Sequence, residues 1–193
     1  MKQKVRDLMN KQINHELESA YLYLEFSNYF EAQNLNGYSD YYKAQAKEEI
    51  GHAMKFLKFL LNANEKVQLM VIHAPEVEIK SVEDALDAGL KAEQDITAKI
   101  NNIYDAASSE KEYSTKTFLN WFVNEQFEEE TNAKKMIEDY KLFKNNLYEL
   151  DKKYAERRQE IWNFTNVKPA EILWSYLKMP VLYQCVAVVQ WAI

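Results

Sequence analysis

Acidic side chains interrupt the apolar repeats of this chain at positions that should face a core. On the first segment, Met9, Ile13 and Ala20 follow the three- and four-residue steps of one helix face, and Glu16 occupies the same face. An ionised carboxylate without a partner is costly inside a protein. Because a multivalent cation offsets that cost when several carboxylates share it, the pattern predicts a buried metal site.

Three further segments place polar ligands in the same way. Glu49 and His52 lie three residues apart on the second segment, and such a Glu-x-x-His pair shares one helix face and can bind one ion. Glu93 lies on the third stripe, and Gln126 and Glu129 lie on the fourth. Oxygen ligands combined with one imidazole suit iron or manganese better than a metal that prefers thiolates.

The expected arrangement holds two ions. Glu49 would bridge them, with Glu16 and His52 on one ion and Glu93 on the other, and Tyr23 would lie close enough to hydrogen-bond or to donate an electron. Each acidic residue taken alone more often points to solvent or pairs with a lysine than binds a metal, and the acidic run of the fourth segment could be a solvated face. The coincidence of four segments favours the metal site.

Other residues that could do chemistry are assigned structural roles. His15 lies off the stripe of Glu16 and His73 lies in a linker, so both are expected at the surface. The tyrosine-rich run over residues 21–42 is expected to fill the core and interfaces, with Tyr23 as its redox candidate. The single cysteine excludes an internal disulfide and a cysteine-based zinc site.

The elements that position these residues are helices. The chain has 193 residues, enough for one well-buried domain, and contains only 3 Gly and 3 Pro, as expected for an all-α protein. Asn36 is the predicted N-cap of the second helix, and Ser81 opens the third with a capping box that uses Asp84. Helical periodicity covers four long segments and a shorter fifth, at residues 2–32, 38–62, 81–107, 112–143 and 146–159.

Connection lengths predict a four-helix bundle with one long crossover. Short loops join the first helix to the second and the third to the fourth, so each pair should form an antiparallel hairpin. Residues 63–80 include Pro75 and carry no helical stripe. Helices of about 26 residues are about 40 Å long, and this linker, when extended, is long enough to cross the bundle between helices 2 and 3.

Four stretches give the chain a resemblance to the bacterial non-haem ferritins over about residues 1–158. They are NHELESAYLY at 14–23, QAKEEIGHAM at 45–54, EQDIT at 93–97 and FLNWFVNEQFEEE at 118–130. The resemblance implies the ferritin-like form of the four-helix bundle. No haem is expected, because residues 50–51 offer no methionine and residues 125–128 lack the second Glu-x-x-His of bacterioferritins and rubrerythrins.

The same resemblance assigns site residues by position. It implies a two-iron ferroxidase centre, with Tyr23 beside it, formed by Glu16, Glu49, His52, Glu93 and Gln126. It also implies a third iron site, at or near Glu48, Glu125, Glu128 and Glu129. Because the amide of Gln126 adds no charge, we expect the second ion to be held more loosely than the first.

The function that this resemblance implies is iron storage by an enzyme. Fe(II) would be oxidised at the buried centre by O2 or H2O2, and ferric mineral would accumulate in a shell of twenty-four copies of the chain. Two other functions remain open. One is an oxidoreductase with two iron or manganese ions that stores no mineral, and the other is a structural helical bundle that binds metal only incidentally.

Charge and the ends of the chain bear on partners and location. The formal net charge is −6 and the pI is about 5.3, which argues against nucleic acid as a partner. The N-terminus lacks the apolar core of a signal peptide, so a cytoplasmic location is expected. Residues 1–160 should form the bundle. Residues 161–193 should form an apolar extension that packs on the bundle, in a shell interface or in the shell cavity rather than spanning a membrane. A non-native extension from a lost stop signal is a further alternative, and in each case the segment puts ordinary shell assembly in doubt.

Overall fold

The computed structural model describes the backbone of residues 1–164 and the side chains of residues 1–155. Its elements are α1 (Gln3–Ala32), α2 (Asn36–Asn62), α3 (Val82–Ser109), α4 (Tyr113–Phe143), a 3-10 turn (Lys144–Asn146) and α5 (Leu147–Phe164). Within these residues there is no strand, and residues Met1–Glu156 form one compact unit. The predicted all-α architecture, with four long helices and a short fifth, is confirmed.

The long connection between α2 and α3 runs beside α1. The side-chain amide of Asn10 donates to the carbonyl oxygen of Lys66 at 3.2 Å, and its oxygen accepts from the N–H of Gln68 at 2.7 Å. One turn further along α1, the amide of Asn14 donates to the carbonyl oxygen of Val71 at 3.0 Å. The connection thus advances in the direction of α1, which confirms the predicted crossover between two hairpins.

The start of α2 differs from the prediction. Asn36 begins the helix instead of capping it, and the capping position is Leu35, whose side chain makes no capping hydrogen bond. The backbone N–H of Tyr38 donates to Asp151 Oδ1 of α5 at 2.9 Å. A carboxylate from a helix distant in sequence therefore satisfies one of the unpaired N–H groups at this end and interacts favourably with the helix dipole.

The predicted cap of α3 is confirmed. Ser81 Oγ accepts a hydrogen bond from the N–H of Asp84 at 3.1 Å. Asp84 Oδ2 accepts from the N–H of Lys80 at 3.1 Å, one residue earlier than the usual capping box. Both α3 and α5 extend past their predicted ends, to Ser109 and Phe164.

A polar layer lies between two apolar clusters of the bundle. One cluster includes Phe26, Phe30, Tyr42, Leu86 and Met136. The other includes Met9, Ile13, Phe56, Ile100 and Phe122. On each long helix, buried polar side chains come between the residues of one cluster and those of the other, and they are Glu16, Glu49, His52, Glu93, Gln126 and Glu129. The fold therefore gathers the predicted ligands near the midpoints of four helices.

Of the helices that the structure describes, none is both long enough and apolar enough to cross a lipid bilayer. The predicted apolar extension over residues 161–193 lies outside the described residues, apart from the backbone of 161–164, which belongs to α5.

Candidate metal centre

Glu16 of α1 converges with Glu49 and His52 of α2 inside the bundle. Each of the three offers one ligand atom, and these atoms all lie within 4.8 Å of one another. His52 Nδ1 lies 3.3 Å from Glu49 Oε2. The antiparallel hairpin of α1 and α2 produces this meeting, since Glu16 lies near the middle of one helix and Glu49 near the middle of the other.

Two atoms of this group have no hydrogen-bond partner among the described residues. They are Glu16 Oε2 and His52 Nε2, and both are fully buried. The other oxygen of Glu16 accepts from Gln12 Nε2 at 3.0 Å. A buried polar atom left unpaired costs about 1–3 kcal/mol. A metal ion bound by Glu16 and His52 would remove that cost, so the donor set fits a cation.

Glu93 of α3 joins the centre from the opposite hairpin. The hydroxyl of Tyr23 donates to Glu93 Oε1, and Gln126 Nε2 donates to Glu93 Oε2 at 3.0 Å. Gln126 also donates to the backbone oxygen of Glu93 at 3.3 Å. These bonds connect α3 to α1 and α4. Glu93 is close enough to Glu49 for its charge to disfavour ionisation there, although it does not belong to the tight group of three.

The residues assigned to a third iron site do not all gather at one point. Glu48, Glu125 and His52 form a second group with ligand atoms within 4.8 Å of one another, and both carboxylates are half-buried. Glu129 is buried and accepts from Gln45 Nε2 at 3.0 Å. Glu128 is exposed. His52 therefore lies between two sets of carboxylates, one deep in the bundle and one nearer its surface.

Burial and neighbouring charges control the ionisation of the centre. Burial raises the pKa of Glu16, and the carboxylate of Glu49 adds to the effect. Burial also raises the pKa of Glu49 and of Glu93, and it raises the pKa of Glu129 to about 8. Burial lowers the pKa of His52, so its imidazole is neutral near neutral pH and keeps a lone pair for a metal. A multivalent cation would replace the protons that these carboxyls otherwise hold.

Sequence reasoning missed two glutamines that orient the ligands. Gln12 bonds to Glu16, and Gln45 bonds to Glu129. Hydrogen bonds of this kind fix the orientation of ligands around a metal. Gln12 precedes Glu16 by four residues, so the helical repeat carried a signal for it. The pairing of Gln45 with Glu129 crosses from α2 to α4 and left no such local signal.

An aromatic and a cationic side chain cover the outer side of His52, and sequence reasoning missed both. The Trp121 ring meets the His52 ring edge-on, with 5.4 Å between centroids. Lys55 Nζ lies 3.3 Å from the centroid of the Trp121 ring. Burial lowers the pKa of Lys55, and the nearby carboxylates Glu125 and Glu48 oppose that effect. Trp121 therefore packs against His52, and Lys55 lies near the half-buried carboxylates Glu48 and Glu125.

The known proteins that this chain is similar to are ferritins. Residues 6–143 match the family model of the ferritin-like domain. The bacterial non-heme ferritin of Staphylococcus saprophyticus is 34% identical over 154 residues, which cover 78% of this chain and 92% of that protein. That of Staphylococcus aureus is 30% identical over 125 residues, which cover 65% of this chain and 75% of that protein. The open pore ferritin of the archaeon Archaeoglobus fulgidus is 35% identical with a TM-score of 0.78, covering 80% of this chain and 96% of that one.

Proposed function

This chain belongs to the ferritin family, and we propose that it stores iron after oxidising Fe(II) at the centre formed by Glu16, Glu49 and His52. The observation that carries the proposal is the buried group of ligands from two helices, with two of its ligand atoms unpartnered among the described residues. Such a group is costly for a protein that binds no cation.

Two Fe(II) ions per subunit are the proposed substrate of one turnover. Glu16, Glu49 and His52 would hold the first ion, and Glu93 with Gln126 would hold the second more loosely. Carboxylates are hard ligands that stabilise Fe(III) relative to Fe(II), which favours oxidation. Two Fe(II) ions supply the two electrons, and solvent the two protons, that reduce O2 to H2O2 or H2O2 to two water molecules. A looser second position would help the ferric product to leave. Glu48 and Glu125 offer a third position on the other side of His52.

A shell of twenty-four subunits is the proposed assembly, and the cytoplasm is the proposed location. Large apolar side chains lie exposed on the isolated chain at Leu69, Val71, Phe127, Leu142 and Tyr148. Apolar exposure on this scale supports contacts between copies. A chain with one cysteine fits a reducing compartment.

The decisive experiment is the aerobic addition of many Fe(II) equivalents per chain, followed by gel filtration. Storage predicts that soluble ferric iron far above two ions per chain elutes with a large assembly. A small oligomer whose ferric iron stops at the site stoichiometry would indicate a non-storing oxidoreductase. Ferric precipitate equal to that of a protein-free sample would overturn both functions.

A pair of variants connects the activity to the centre. Glu49→Gln removes the charge shared by the ligand group, and we expect the rate of Fe(II) oxidation to fall at least about tenfold. Glu25→Gln makes the same change at an exposed position of α1 and should keep the wild-type rate. Equal rates in the two variants would place the oxidation elsewhere.

A further inference from the structure

Four buried tyrosines form a continuous series from the metal centre to α5. The Tyr23 and Tyr42 rings lie 5.7 Å apart between centroids, Tyr42 and Tyr41 lie 5.3 Å apart, and Tyr41 and Tyr154 lie 5.9 Å apart. All four side chains are buried. This series, called the tyrosine chain, crosses the apolar cluster that includes Phe26 and Phe30, from α1 through α2 to α5.

Both ends of the tyrosine chain are hydrogen-bonded to a carboxylate. The hydroxyl of Tyr23 donates to Glu93 at the centre. The hydroxyl of Tyr154 donates to Asp139 Oδ2 at 3.0 Å, and this oxygen also accepts from Lys153 Nζ at 2.6 Å. A tyrosine that loses an electron becomes a strong acid, so a carboxylate in contact with its hydroxyl can take the proton even with a lysine nearby. The two ends are therefore the positions where an oxidised tyrosine is stabilised.

The predicted core-filling role of Tyr41 and Tyr42 is confirmed, since both belong to the buried apolar cluster, but core filling alone does not account for the hydroxyl groups of the tyrosine chain. Phenylalanine would fill the same volume without burying a hydroxyl, and the same cluster uses Phe26 and Phe30 in that way. The cost of a buried hydroxyl is visible at Tyr38, whose oxygen has no partner among the described residues. A contiguous set of tyrosines that begins at the redox centre and ends on a second carboxylate fits electron transfer.

We propose that Tyr154 is an electron donor to the metal centre through Tyr41, Tyr42 and Tyr23. This proposal rests on the proposed ferroxidase function, which supplies the oxidant. The rate of electron transfer falls steeply with distance. The tyrosine chain divides the long path into steps between neighbouring rings. After the transfer, Tyr154 is a neutral radical and its phenolic proton resides on Asp139.

The electron donor is needed when a centre that holds only one Fe(II) reacts with H2O2. Cleavage of the O–O bond to give two water molecules needs two electrons and two protons. The single Fe(II) gives one electron and becomes Fe(III), and Tyr154 gives the other. The two protons come from solvent, while the phenolic proton moves to Asp139. Without the second electron, the products are Fe(III), hydroxide and a hydroxyl radical, which damages protein.

The test mixes the assembled protein, loaded anaerobically with one Fe(II) per subunit, with H2O2. Rapid freezing and electron paramagnetic resonance detect the tyrosyl radical, a spin trap detects hydroxyl radical, and absorbance detects Fe(III). The wild type should give Fe(III), a tyrosyl signal and little trapped hydroxyl radical. Tyr154→Phe should form Fe(III), lose the long-lived tyrosyl signal and trap more hydroxyl radical.

Two further variants separate electron donation from structure. Asp139→Asn keeps all four rings but removes the proton acceptor, so it should lose the long-lived signal as Tyr154→Phe does. Tyr113→Phe changes a tyrosine at the start of α4 that is 71% exposed, and it should behave as wild type. Equal radical and spin-trap yields in wild type and Tyr154→Phe, with Fe(III) formed in both, would overturn electron donation by Tyr154 and leave the proposed function standing. Absence of Fe(III) in the wild type would overturn both the proposed function and the proposed electron transfer through the tyrosine chain.

Discussion

Among single residues, Glu16 shows most directly how a side chain suited to binding a metal destabilises the metal-free fold. Its side chain is 1% exposed, and one oxygen has no partner among the described residues. Glu16→Gln keeps the shape, removes a buried acid, and supplies an amide N–H that can donate toward Glu49. We expect the metal-free protein to gain about 1–3 kcal/mol in free energy of unfolding, because the amide donates a hydrogen bond at the position where the wild-type oxygen has no partner among the described residues. Stabilisation by added iron should decrease at the same time.

Thermal unfolding in the presence of a chelator measures the first effect, and a repeat with anaerobic Fe(II) measures the second. Glu25→Gln, at an exposed site on the same helix, is the matched control and should shift neither value. A metal-free Glu16→Gln protein that unfolds below wild type would contradict the expectation.

Tyr23 lies between the metal centre and the apolar cluster that includes Phe26 and Tyr42. Tyr23→Phe removes the hydroxyl that donates to Glu93 and removes the oxidisable phenol, while the ring and its contact with Tyr42 remain. The stability cost should be about 1 kcal/mol for one lost hydrogen bond. The rate of Fe(II) oxidation, followed by stopped-flow absorbance, should fall. Tyr21→Phe changes an exposed tyrosine on the same helix and should keep the wild-type rate. Identical oxidation kinetics in the two variants would show that Tyr23 is not an electron donor.

Between elements, the contact of α5 with the start of α2 depends on a glycine. A Cβ atom added at Gly37 would lie 1.9 Å from the backbone oxygen of Asp151, far inside contact distance. Gly37→Ala should therefore push α5 away and lower the free energy of unfolding by about 1–3 kcal/mol. Gly51 lies within the same helix with nothing within 4 Å of an added Cβ. Gly51→Ala should instead raise stability by about 0.5–1 kcal/mol, and denaturant unfolding of the two variants should give opposite signs.

The junction of α4 and α5 should also be sensitive to acid. Burial opposes ionisation of Asp139, but hydrogen bonds from Lys153 and Tyr154 outweigh it and hold the pKa of Asp139 below its ordinary 3.8. A lowered folded-state pKa contributes stability above the unfolded-state value, and that contribution disappears as the pH falls through the folded-state value. Asp139→Asn should cost about 1 kcal/mol from about pH 5 to 7, by loss of the charge-assisted bond.

Urea unfolding of wild type and Asp139→Asn across a pH series tests this expectation. The gap between the two should shrink below pH 3.8, where the wild-type carboxylate takes up its proton. A gap that stays constant through the acid range would mean that the ionised carboxylate is not what stabilises the junction.

The helices could be predicted well because their signals are local. Periodicity gave the four long segments, and loop lengths gave the crossover, since both depend on residues close in sequence. The cap of α2 could not be found in this way. Its acceptor is Asp151, which lies 113 positions from Tyr38, so only the packed structure brings the two together.

The same distinction applies to the candidate site. Inward positions such as Glu16, Glu49 and Glu93 follow from the stripes, and each is buried as those stripes required. The contacts that these residues make across the bundle do not follow from the stripes. The hydrogen bond between Tyr23 and Glu93, for example, joins residues 70 positions apart. The unequal exposure of Glu128 and Glu129 does follow from the sequence, because Glu129 lies on the inward stripe of α4 and Glu128 does not.

For the whole molecule, we expect the polar layer to make the stability of the bundle depend on metal. Two apolar clusters hold the helices together, and between them lie four buried acidic side chains with one neutral imidazole, namely Glu16, Glu49, Glu93, Glu129 and His52. Ionising these carboxyls in a metal-free bundle is unfavourable, because burial and mutual repulsion raise their pKa values. A cation that binds the folded bundle and not the unfolded chain shifts the folding equilibrium by mass action.

A redox-inert divalent ion such as Zn2+ should therefore raise the Tm of the protein without any oxidation. At a free concentration of one hundred times Kd the gain is about 2.7 kcal/mol, which corresponds to roughly 5–11 °C for a chain of this length. Differential scanning calorimetry across a zinc series measures it, with Tm rising as the logarithm of concentration. The double variant Glu16→Gln/Glu49→Gln should lose this dependence, whereas Glu25→Gln should retain it. If the double variant kept the full rise, the stabilising ion would bind away from the buried carboxylates, and their burial would need another cause.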